Sequence, residues 1–74
     1  MLNASRCRSI AADYAKRARD ASDPAAKRAF RRLEFLWRDM APLAESFDRW
    51  SDPRSKERLF EMIDAAAEVR RKVA

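Results

Sequence analysis

The 74-residue chain has no histidine and no glycine, one cysteine and three prolines. Without histidine, the side chain most used for proton transfer near neutral pH and for metal ligation is missing. Without glycine, no GxGxxG or GxxxxGK[ST] loop can cradle a phosphate. The lone Cys7 excludes an internal disulfide and fits a reducing compartment. On an apolar helical stripe it reads as a small core hydrophobe. No apolar run reaches the about 18 to 20 residues of a membrane span. Charge recurs every few residues from Arg6 onward, so no signal-peptide pattern is read and a cytoplasmic location is expected.

What is present is charge on helix-forming sequence. Seventeen Lys and Arg face 12 Asp and Glu, a net +5. Residues 1–37 hold nine basic residues and four acids, whereas residues 38–74 hold eight of each. A basic half suits an ordinary solvated helical surface, and it also steers a protein toward nucleic acid, an acidic partner or an anionic membrane surface.

Two short signals divide the chain. Ser22-Asp23-Pro24 and Ser51-Asp52-Pro53 each place an N-capping Asp before a proline. Proline at the first helical position loses nothing, because that N–H has no partner inside the helix. It also pushes the residue before it out of the α region, which suits a cap. Helices are therefore predicted over about 3–21, 24–50 and 53–73. SDPAAK at 22–27 and SDPRSK at 51–56 share four of six positions. A duplicated helix-turn unit and a common capping chemistry both account for the match.

Each segment carries an apolar face at three- and four-residue steps. In the first it is Cys7, Ile10, Ala11, Tyr14, Ala15 and Ala18, with Asn3 as N-cap and Leu2 and Cys7 placed for a hydrophobic staple. In the second, Ala26, Phe30, Leu33, Trp37, Met40, Ala44 and Phe47 occupy a and d positions, and Ala29, Leu36, Leu43 and Trp50 form a flanking g row. The third carries Leu59, Met62, Ala66, Val69 and Val73, with Phe60, Ile63 and Ala67 beside them. Asp13–Arg17, Lys16–Asp20, Glu34–Arg38, Glu45–Arg49 and Glu68–Lys72 are spaced for ion pairs on the outside. Pro42 falls at an outward f position, where it bends the second helix or breaks it at Ala41. No segment alternates with period two. Connections this short force neighbouring helices antiparallel, so residues 1–74 are expected to form one all-α domain, an antiparallel three-helix bundle. A core this small makes oligomerisation an expectation too.

Cys7, Ala11, Ala18, Asp23-Pro24, Lys27, Phe30, Leu33, Trp37 and Met40-Ala41 form a spaced pattern over residues 7–41. In this the chain resembles a group of short, uncharacterised bacterial proteins in which a helix, an Asp-Pro turn and a second helix bearing Trp or Tyr follow one another. The resemblance implies a helical hairpin and no particular activity. Pro42 and the third segment depart from it.

The chemistry-bearing residues are few. Asp and Glu alternate with Arg and Lys as solvated pairs, and Cys7 and Tyr14 share the core stripe. No enzyme activity, cofactor, metal or small-molecule substrate is expected. The favoured reading is a non-catalytic helical protein-interaction module, self-associating or binding a protein partner. Its interface is assigned to Arg31, Phe35 and Trp50, with Arg31 over the Phe35 ring. The alternative is non-specific binding of nucleic acid or another anion by Lys16, Arg17, Arg19, Lys27, Arg28, Arg31 and Arg32, gathered around the first Asp-Pro turn.

Overall fold

Capping chemistry fixes where the helices begin. In the computed structural model, which describes residues 3–50 and 53–73 (Trp50 by its backbone alone), α1 spans Ala4–Asp20, α2 Pro24–Trp50 and α3 Pro53–Val73. Asn3 is extended, and its side-chain oxygen accepts the Arg6 N–H at 2.8 Å. Asp23 does the same for α2, accepting the Ala26 N–H at 3.2 Å. Each bond satisfies an amide that has no acceptor within its own helix. The other two expected devices, the Asp52 cap and the Leu2–Cys7 staple, involve residues outside those described. Without glycine, α1 ends on Ala21 in an extended conformation, its N–H donating to the Arg17 carbonyl at 3.0 Å.

The predicted boundaries hold to within a residue at each described end, and no strand occurs among the described residues. The helix α2 runs unbroken through Pro42, which is exposed. A break at Ala41 is therefore excluded. The outward position explains why: proline's missing N–H and its ring act on the solvent side, away from packed neighbours.

Three antiparallel helices form the bundle, with α2 as its spine. Both α1 and α3 pack along α2, while no Cα of α1 comes within 8 Å of one of α3 among the described residues. The long axis of 42 Å matches 27 residues of α2 at about 1.5 Å each. The outer helices take opposite flanks. Asn3, Ala4 and Ser5 border Glu45 and Asp48, whereas Ala65 and Val69 border Arg28, Ala29 and Arg32. One core joins them: Cys7 from α1, Leu33, Met40, Ala41 and Ala44 from α2, and Leu59, Met62 and Ala66 from α3.

This placement shifts the buried face of α2. The a, d and g rows are expected inside, yet Ala41 and Glu34, which belong to the e row, are buried, while Leu36 and Leu43 of the g row are half-buried. The small buried residues of α1 (Cys7, Ala11 and Ala18) allow it to lie close over the e side. Glu34 is accommodated there because both carboxylate oxygens are held, by Arg31 at 2.9 Å and Arg38 at 2.7 Å. No buried side-chain polar atom among the described residues lacks a partner. At the far end, Ser55 donates to Ser46 at 3.2 Å and ties the start of α3 to α2.

The outward ion pairs form in part as spaced. Asp13–Arg17, Glu34–Arg38 and Glu45–Arg49 are made. Lys16–Asp20 is not among them, and a basic residue preceding its acid by four is the less favourable order. Glu68 pairs with Arg71 at 3.2 Å rather than with Lys72. No helix among the described residues is long and apolar enough to cross a membrane.

Candidate interaction surfaces

With no Cα of α1 within 8 Å of one of α3 among the described residues, side chains of both helices line a groove between them over α2. Its floor is the a and d row of α2, with half-buried Phe30 and Trp37. Tyr14 forms the α1 wall, its ring stacked on Phe30 at 6.2 Å between centroids and 24° between planes. Ile63, Ala66 and Ala67 form the α3 wall of a cleft of about 420 Å³. Arg70 and Arg71 stand at its rim. An adjoining recess continues past Tyr14 and Phe30 to Arg17 and Val73. The Arg17 guanidinium lies 5.8 Å from the Tyr14 ring centre while pairing with Asp13 at 3.1 Å. At the other end Lys56 sits 6.0 Å from both the Phe47 and the Phe60 rings.

Of the three residues assigned to a partner interface, Phe35 is exposed as expected. It is 61% exposed. Arg31 does not cover its ring, because Glu34 takes the guanidinium at 2.9 Å. A full carboxylate charge one turn away outcompetes a ring quadrupole for a solvated guanidinium. The side chain of Trp50 lies outside those described. The Trp50 backbone stands 15 residues along the same helix from Phe35, about 22 Å at 1.5 Å per residue. Sequence reasoning missed the groove instead. Its signal was present in the wide apolar face of α2, which exceeds what the two flanking helices cover.

The seven residues of the basic cluster are all exposed: Lys16, Arg17, Arg19, Lys27, Arg28, Arg31 and Arg32. The antiparallel hairpin brings them to one end. Arg17 and Arg31 are engaged by Asp13 and Glu34, while the other five make no intramolecular ion pair. The third helix adds cations that the sequence reading left apart. Lys72 shares a recess with Arg28 and Arg32, and Arg70 shares one with Arg17.

Cys7 is fully buried. Burial pushes its thiol above the ordinary value, against a smaller opposing pull from Arg8. Among the described residues no cluster of Cys, Asp and Glu is arranged to hold a metal ion. Comparison with known proteins finds no matching family model, no matching curated protein and no matching solved structure.

Proposed function

We propose that the chain is a non-catalytic helical interaction module whose α1–α3 groove receives an amphipathic helix of a protein partner. The observation that supports this is the separation of α1 and α3 on a common spine, which leaves Tyr14, Trp37, Ile63 and Ala67 around an open apolar cleft. Two helices resting on a third leave the slot that a fourth helix fills in a bundle. The rim selects the occupant. Arg17 and Arg71 have internal acids, but Arg70 has none, so a helix with a carboxylate beside its apolar face fits best. The exposed faces of α1 and α2 carry Arg6, Arg8, Arg19, Arg28 and Arg32, which disfavours them as the occupant from a second copy.

The test uses a synthetic amphipathic helix with Leu on one face and Glu on the other, and the same peptide with Lys for Glu. Tryptophan emission and anisotropy report binding. The Glu peptide should bind, the Lys peptide at least tenfold more weakly. Ala67→Arg, at an exposed position on the cleft wall, should weaken the Glu peptide at least tenfold with helix content unchanged. Equal binding of both peptides, or indifference to Ala67→Arg, would overturn the reading. So would a dimer in light scattering that Ala67→Arg dissociates, because a second copy would then fill the groove.

A further inference from the structure

We infer that the end of the bundle formed by the α1–α2 turn and the C-terminal turn of α3 is a composite binding surface for the phosphate backbone of nucleic acid. It shares Arg70 with the rim of the apolar cleft and otherwise lies outside that cleft's lining. The sequence divides its charge by halves, but the fold divides it by ends. Residues 13–34 and 64–73, brought to one end by the antiparallel order, hold ten of the 17 basic residues and six of the 12 acids.

The pairing pattern carries the inference further than the count. Seven cations at this end make no intramolecular ion pair: Lys16, Arg19, Lys27, Arg28, Arg32, Arg70 and Lys72. Four of its six acids are occupied, leaving Asp20 and Asp64. Asp13 holds Arg17, Glu34 holds Arg31 and Arg38, and Glu68 holds Arg71. Asp23 is turned to its own helix, accepting the Ala26 N–H. At the opposite end the cations are mostly engaged. Arg49 pairs with Glu45, Arg58 with Glu61, and Lys56 lies over two rings. Arg6 and Arg8 there make no ion pair or ring contact.

The free cations come from all three helices, so a single strand or one face of a duplex can meet several at once. The transverse extents of 20 and 16 Å span several phosphates, which lie about 1.7 Å apart per charge along a duplex axis. Flexible Lys and Arg heads at a blunt helical end supply charge without a rigid element to enter a groove. Binding is therefore independent of base sequence and dominated by counterion release.

The experiment measures anisotropy of a fluorescent 24-base-pair duplex, and of its single strand, from 50 to 200 mM NaCl. With four to seven phosphates neutralised, duplex affinity should fall roughly 10² to 10⁴-fold across that range. Two unrelated sequences should bind alike. Arg28→Glu with Arg32→Glu should lower the log–log salt slope by about 2. Arg6→Glu with Arg8→Glu makes the same change in net charge at the opposite end and should leave the slope nearly unchanged. Circular dichroism confirms that both variants fold. Absence of binding at 50 mM salt overturns the proposal, as does an equal effect of the two double variants. Stronger binding to vesicles with 30% anionic lipid than to either DNA also overturns it, assigning the surface to membranes. Neither Arg28 nor Arg32 lines the apolar cleft, so binding of the Glu peptide there can succeed or fail independently of these variants.

Discussion

Along α1 the buried side chains are Cys7, Ala11 and Ala18, whereas along α3 they are Ser55, Leu59, Met62 and Ala66. The two seams of one small bundle are thus made from different materials. Small side chains contribute little apolar area but let helix axes approach, so α1 lies close to α2 over more of its length although it is four residues shorter. Larger side chains hold α3 further out and fill the space with volume. The first seam depends on nothing being added to it, and the second on nothing being removed. Truncation and enlargement should therefore have opposite rankings on the two sides.

The largest effect is expected from Leu59→Ala. Leu59 is buried in the shared core beside Met62, and truncating such a leucine costs about 2 to 5 kcal/mol, the transfer term plus the unfilled cavity. In so small a domain that is a large share of the total stability. Urea denaturation of the variant should show a midpoint shifted far down with little change in slope. An unchanged midpoint would mean that α3 does not pack on α2 through this residue.

Enlargement tests the other seam. Ala11 is 2% exposed, and Ala11→Leu forces α1 away from α2 or into strained rotamers, at about 1 to 3 kcal/mol. The same change at exposed Ala67 on α3 meets only the open groove and should be nearly neutral. If Ala11→Leu were tolerated as well as Ala67→Leu, the close approach of α1 would be wrong, and with it the distinction between the seams.

Much of this was legible in the sequence where the chemistry is local. An Asp or Asn before a helix start needs only its own next turn, so Asn3 and Asp23 could be placed from residue type alone. Antiparallel order follows from connections too short to cross over. What could not be read was lateral. A heptad has two equivalent flanks, and nothing in α2 alone says that Ala41 and Glu34 are covered while Leu43 is half-open. That choice is made by how closely α1 fits. The expected contact of Arg31 with the Phe35 ring fails for a similar reason: ring and carboxylate lie four and three residues on, and the comparison of a quadrupole with a full charge separates them. The basic end was half-found, because counting charge along the chain separates residues 16–32 from Arg70 and Lys72, which antiparallel topology reunites.

The smallest expected effect probes whether the close seam is also dry. Cys7 has no solvent exposure, and burial raises its thiol, with Arg8 opposing less strongly. The unfolded chain therefore loses this proton first, near about 8.5. Below that pH both states hold the proton, and the thiol adds no pH dependence. Above it the unfolded state binds fewer protons than the folded one, so stability falls with rising pH, by at most about 1.4 kcal/mol per unit, until the folded thiol also ionises. Cys7→Ala removes this dependence while leaving every Lys, Arg and Tyr in place. Urea denaturation of both proteins with reductant, at pH 7.5 and 9.5, should show the natural chain losing more stability than the variant over the interval. Parallel losses would mean that water reaches the thiol, and that α1 rests on α2 less closely than its alanines allow.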